Sequence, residues 1–179
     1  MPNRQILFIH GAGDTGEDRN GVFAQLTRAV AGRFGVSRPQ LPDPDPQAWG
    51  DRISPLLADL PEDAVLIGHS LGGSMLLKVI AEQHPGLEAA GLILLAPPYW
   101  GAPGWNYLQF APPEEFAAAL GGLGAVIHLH GRDDEVVSFA HQALYAEKMP
   151  QARYVAISAC GHEFGGTGAA AVLEAINSV

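Results

Sequence analysis

Five residues, Gly68-His69-Ser70-Leu71-Gly72, constrain this chain more than any other stretch. The run Ala64-Val65-Leu66-Ile67 ahead of them is apolar throughout and reads as a buried strand, and the residues from Leu71 onward read as a helix. A Gly-x-Ser-x-Gly between a strand and a helix marks a tight, strained turn that presents a serine hydroxyl at the strand's carboxyl end. The flanking glycines remove side chains that would clash there, and Gly73 lets helix and strand pack closely. The start of the helix lies behind the hydroxyl and favours negative charge developing on a bound group. The same residues also fit a plain glycine-rich turn with an incidental serine, so a functional reading needs a base and an acid elsewhere.

The remaining chain alternates strands and helices. Ile6-Leu7-Phe8-Ile9-His10 is an apolar run that stops at Gly11-Ala12-Gly13-Asp14. Val22, Phe23, Leu26, Ala29, Val30 and Phe34 recur at helical spacing. Residues 36–41 are a strand candidate, and Pro42-Asp43-Pro44-Asp45-Pro46 must be loop. Residues 47–60 are helical, with Pro55 a point of kinking or restart. The strand before Ser70 spans 63–69, and the helix after it runs to about His84, ahead of Pro85-Gly86. Strands follow at 90–96, 125–130 and 153–157, and helices at 113–120, 138–149 (with Ser138 as N-cap) and 167–177. Residues 97–113 are irregular and aromatic. This alternation predicts a parallel sheet covered by helices on both faces, a three-layer α/β/α sandwich. The proline-rich stretches fall inside one alternating series, so residues 1–179 read as a single domain with no separate cap and no internal repeat.

Composition narrows the partners. Hydrophobic residues make up 47% and charged residues 16%, a globular balance. A formal net charge of −9 without a Lys/Arg cluster disfavours nucleic acid. Cys160 is the only cysteine, which excludes an internal disulfide and a Cys-x-x-Cys metal site. No stretch has the length and apolarity of a signal peptide or a membrane span, so a cytoplasmic protein without membrane attachment is expected.

In a parallel sheet, ligands gather at the strands' carboxyl ends near the point where strand order reverses. The polar punctuation falls there: the 10–13 loop, Ser70, Asp133-Asp134 and His162 each follow an apolar strand. A serine nucleophile needs a neutral imidazole to take its proton, and the imidazole needs a carboxylate on its other nitrogen. An oxyanion needs preorganised donors, which the Leu71 and Ala12 N–H groups could supply. Asp133 is a rival to Asp134, with a loop-capping role as its alternative. His10 and His69 read as braces for the loop and the turn. His128 and His130 point to one side of a strand and lack a third metal ligand, so a core role is expected.

These residues together resemble the α/β-hydrolase superfamily over essentially the whole chain. The resemblance rests on His10-Gly11-Ala12-Gly13, on Gly68 to Gly73, on Gly131-Arg132-Asp133-Asp134-Glu135-Val136-Val137 and on Gly161-His162, in the order serine, acid, histidine. The short, cap-less chain looks like compact bacterial serine hydrolases of the carboxylesterase or YdeN-like type. The resemblance implies a catalytic triad of Ser70, Asp134 and His162, an oxyanion hole of Leu71 and Ala12, and no cofactor or metal. It places the acid three residues after Gly131; Ser138 stands where proline is common. The family's full sheet has two further N-terminal strands, and this chain starts at the strand before the oxyanion loop. Six mostly parallel strands in the order 2-1-3-4-5-6 are therefore expected.

Gly11, Tyr99, Trp100 and Trp105 are the candidate substrate contacts. The 97–113 aromatics could instead staple a long loop to the core or form a homodimer surface. With so little chain to build a cap, the expected site is open and shallow, suited to short or medium acyl esters. Thioester or amide cleavage by the same triad, and a non-catalytic binding protein on the same fold, are the alternatives. Haloalkane dehalogenation is disfavoured because it needs a carboxylate where Ser70 stands.

Overall fold

The computed structural model describes residues 4–14 and 21–179. The first three residues, the sequence lead-in to the first strand, lie outside the described residues. Six strands form one sheet: β1 (Arg4–Ile9), β2 (Phe34–Ser37), β3 (Val65–His69), β4 (Gly91–Leu95), β5 (Val126–Gly131) and β6 (Arg153–Ile157). Every pairing is parallel and the order is β2-β1-β3-β4-β5-β6, as expected. The order reverses between β1 and β3. The loops leaving those two strands flank the crevice where ligands bind in such sheets.

Among the described residues, five helices cover the sheet: α1 (Val22–Val30), α2 (Pro46–Ala58), α3 (Leu71–Gln83), α4 (Ala140–Lys148) and α5 (Thr167–Asn177). Successive strand residues point to opposite faces, and this splits the core in two. Leu7, Ile9, Leu66, Leu92 and Leu94 pack with Trp49 and Ile53 of α2, Met75 and Ile80 of α3 and Tyr145 of α4. Ile6, Phe8, Val65, Ile67 and Ile93 pack with Leu26 and Val30 of α1 and Val172 and Ile176 of α5. The β3 and β4 strands are buried along their whole length, which is why they read as unbroken apolar runs.

Some boundaries differ from the sequence reading. Phe34 opens β2 rather than closing α1, because Gly32 at φ 76° ends the helix and turns the chain back at once. Helix α2 runs through Pro55 without a break. Pro55 is exposed, so the backbone carbonyl that loses its donor can be solvated. Asp45 caps α2, its side chain accepting from Ala48 N–H at 2.7 Å. The expected helix at 113–120 is a 3₁₀ turn, Phe116–Leu120. The N-cap of α4 is Phe139, with Ser138 one residue earlier and its Oγ 3.3 Å from Ala140 N–H. Among the described residues, no helix is long and apolar enough to cross a membrane.

Candidate active site

Strand β3 ends at His69 and helix α3 begins at Leu71, so Ser70 alone makes the turn between them. Its backbone lies at φ 52°, ψ −124°, a conformation that costs an L-residue of order ~1–3 kcal/mol. The surroundings enforce it. Ser70 N–H donates to the Leu95 carbonyl at 2.8 Å, and the Ser70 carbonyl accepts from Gly73 N–H at 3.0 Å. A Cβ on Gly68 would lie 2.6 Å from Gly73 Cα, and one on Gly72 would collide with the carbonyl oxygens of Ile9 and His10. Only glycine permits this approach of β1, β3 and α3. Leu71, as the first residue of α3, carries an N–H with no acceptor inside the helix.

The loop after β1 lies against the turn. A Cβ on Gly11 would sit 3.2 Å from Ser70 Cβ and 3.5 Å from His69 Nδ1. His10 Nδ1 donates to the Gly11 carbonyl at 2.8 Å, while its ring meets Trp49 edge-on. Ala12 and Gly13 form an exposed turn, with Gly13 at φ 75°.

The other side of the site is built from the loops after β5 and β6. The Asp134 side chain is fully buried. Its Oδ2 accepts from His162 Nδ1 at 2.9 Å and lies 3.4 Å from His130 Nε2. Its Oδ1 accepts from the N–H groups of Val136 and Val137 at 2.9 and 2.8 Å. Burial opposes the charge on Asp134. The hydrogen bonds from His130, His162 and Val137 outweigh that penalty and hold the carboxyl well below the usual carboxylate range. Asp133 turns away from the imidazole. Its Oδ1 accepts from Cys160 and Gly161 N–H at 3.0 and 3.2 Å, and these bonds lower its pKa. Glu135 Oε2 accepts from His162 N–H at 3.3 Å. Three successive carboxylates thus grip the 160–162 segment, and only Asp134 reaches the ring. Asp133 thus caps a loop, as its alternative reading had it, though the loop is the one after β6; the bond from Glu135 was not legible in the sequence.

Two buried histidines adjoin this network. His69 Nε2 donates to the His162 carbonyl at 2.9 Å, and burial, with the neighbouring His162, pushes its pKa down to about 4. His128 and His130 stack at 5.8 Å on one face of β5. Burial takes His128 down to about 3, and His130 Nε2 donates to the Val137 carbonyl at 2.8 Å. Cys160 is buried, and burial followed by its acidic neighbours raises its thiol to about 11, which suits a packing residue rather than a thiolate.

Ser70, Leu71, His162, Gly11 and Ala12 open onto one cavity of about 1330 Å³. Among the described residues, Ser70 Oγ and His162 share the cavity without a hydrogen bond between them; such bonds are often long before substrate binds. Trp100 and Trp105 line the cavity, as do Tyr107 and Phe110, which the sequence reading left among undifferentiated aromatics. Their rings cluster around Trp100, at 5.4 Å from Trp105, 6.2 Å from Tyr107 and 5.4 Å from Phe110.

Tyr99 is a correction to the expected contacts, since it does not line this cavity. Its N–H donates to His141 Nδ1 at 2.8 Å and its ring meets Tyr145 edge-on at 5.2 Å, both on α4, so it is a core staple. The 97–113 stretch therefore divides between wall and staple. The cavity extends past Gly50 of α2 and Met75 and Val79 of α3, so those two helices contribute to its wall.

Comparison with known proteins agrees with this fold. The model of the alpha/beta hydrolase family matches residues 6–125. No curated protein matches the sequence. Among solved structures, the ydeN gene product of Bacillus subtilis superposes with a TM-score of 0.77 at 22% identity, covering 98% of each chain. The esterase domain of a Rhodothermus marinus protein gives 0.73 at 18% identity, covering 99% of this chain and 86% of that one. A thioesterase domain from the curacin biosynthetic pathway gives 0.71 at 13% identity, covering 99% and 92%. At these identities the likeness is one of fold.

Proposed function

The chain belongs to the alpha/beta hydrolase family, and on that premise we propose that it is a serine hydrolase cleaving carboxylic esters through an acyl-enzyme. One observation carries the reading. A single cavity receives both a serine on a strained strand-to-helix turn and an imidazole whose Nδ1 is hydrogen-bonded to a buried carboxylate.

Ser70 Oγ attacks the ester carbonyl while His162 Nε2 takes its proton. Asp134 keeps the Nδ1–H tautomer and stabilises the imidazolium that forms. The oxyanion of the tetrahedral intermediate is received by the Leu71 and Ala12 N–H groups, and one such donor is typically worth ~2.7–4 kcal/mol. His162 then returns the proton to the departing alcohol. Water, activated by the same imidazole, releases the acid and regenerates Ser70. The aromatic wall of Trp100, Trp105, Tyr107 and Phe110 suits an apolar acyl group of short to medium length.

The esterase domain with this fold supports an ester as the substrate, and the thioesterase domain supports a thioester as the second reading. The triad itself does not choose the leaving group. A panel of esters graded by acyl length, run beside thioesters and peptides, separates these. Esters are expected to give the highest kcat/KM, with turnover lost in Ser70→Ala. Ester turnover that persists in Ser70→Ala overturns the mechanism. Folded wild-type protein that turns over nothing favours a ligand-binding role.

A further inference from the structure

His69 and His162 leave different strands, yet their rings lie 4.9 Å apart at an interplanar angle of 42°. His69 Nε2 is 2.9 Å from the His162 backbone carbonyl. A carbonyl only accepts, so Nε2 carries the proton and Nδ1 holds the lone pair. His162 Nδ1 is 2.9 Å from the Asp134 carboxylate, which leaves its lone pair on Nε2. Each imidazole thus offers one unprotonated nitrogen and ties its other N–H to an acceptor. Metal-binding histidines are oriented in this way, one N–H to a carboxylate or to a backbone carbonyl. Glu163, the next residue in the chain, adds a carboxylate. One ligand atom from each of the three residues falls within 4.8 Å of the other two, with both histidines buried and Glu163 exposed. All three residues line the cavity.

We propose that His69, His162 and Glu163 form a site for a borderline divalent metal ion, Zn²⁺ foremost, and that the bound ion reversibly inhibits the enzyme. The inhibitory part rests on the reading of His162 as general base. Two imidazole nitrogens and one carboxylate oxygen are a donor set that zinc takes, with the fourth position left to water from the cavity. Imidazole ligands disfavour Mg²⁺ and Ca²⁺. Zinc bonds of ~2.0–2.2 Å require the three ligand atoms to draw closer. Once bound, the ion holds the His162 Nε2 lone pair that would accept the Ser70 proton. No bond in the protein is made or broken, and removing the ion restores the base.

Calorimetric titration with Zn²⁺ alone tests the site without turnover. One equivalent is expected to bind wild type and Ser70→Ala alike, with micromolar Kd. Glu163→Gln is expected to weaken binding about tenfold and His69→Gln to weaken it more. In the ester assay, zinc lowers the wild-type rate and a chelator restores it, while Glu163→Gln needs about tenfold more zinc to lose the same fraction of its own metal-free rate. Absence of binding at millimolar zinc overturns the site, as does binding with an unchanged Kd in both variants. Stoichiometric binding without inhibition overturns the regulatory role. Zinc binding with the expected dependence in a protein that cleaves no ester would leave the metal site standing and remove the hydrolase reading instead.

Discussion

The nucleophile and the base are held in place by different means. Ser70 is fixed by backbone: a bond to Leu95, a strained φ, and glycines at 68 and 72 that let three elements touch. His162 is fixed by side chains: Asp133 and Glu135 hold its loop and Asp134 holds its ring. Steric packing of backbone does not titrate, whereas carboxylates and the buried histidines beneath them do. One half of the site should therefore fail through added volume and the other through lost charge.

The largest effect is expected at Asp134. Asp134→Asn keeps the shape but lets the imidazole adopt the wrong tautomer, and kcat should fall by roughly 10⁴. Fluorescence-monitored unfolding should show a folded protein. A fall of less than about tenfold would mean that the charge half does not act through Asp134.

On the backbone half, Gly72→Ala places a Cβ against the Ile9 and His10 carbonyls. Urea unfolding should show a loss of about 3 kcal/mol, insensitive to pH. A neutral outcome would show that the elbow can relax and is not held by packing.

Acid pH should act on the other half. His128 lies on β5 beside His130, which approaches Asp134, and faces Tyr145 and Tyr154, with Gln142 beside its ring. Its folded pKa is lowered to about 3, so below 6.5 the unfolded chain binds a proton that the folded chain refuses. Stability must then fall as pH drops from 6.5, by about 2 kcal/mol at pH 5 from this group. Asp134 works in a lower window: its stabilisation is full above the ordinary carboxylate pKa and is lost only below about pH 4. Denaturant curves at pH 7 and pH 5 should show a shallower loss in His128→Gln than in wild type. Equal losses would remove His128 from the account.

The smallest effect concerns strain. Ser70→Gly relieves a positive φ that Ser70→Ala retains, so the glycine variant should be the more stable of the two by about 1 kcal/mol in thermal unfolding. The reverse order would show that the elbow is unstrained.

The two halves also differed in how far sequence disclosed them. The elbow is local, since Gly68 to Gly73 carries both the turn and the reason for it. The strands were legible for the same reason, as buried runs such as Ile67 and Leu94 need no partner to be recognised. The base and acid could be read as residues but not as a network. Nothing local to Asp133 shows that it bonds to Cys160 and Gly161, because that contact depends on β5 and β6 lying side by side. Tyr99 and Trp100 illustrate the limit: adjacent and chemically alike, both pack against the core, yet of the two it is Trp100 that lines the cavity, while Tyr99 meets Tyr145 of α4. The part of α2 and α3 in the cavity wall was hidden too, since it depends on pairing that no single segment encodes.

Covalent labelling with a fluorophosphonate probe, read by peptide mass spectrometry, asks whether Ser70 is an activated nucleophile. Stoichiometric phosphonylation of Ser70 is expected in wild type, with no adduct in Ser70→Ala and a strongly slowed adduct in His162→Ala. Folded wild-type protein that remains unlabelled, or that carries the label on another residue, would contradict that reading of Ser70.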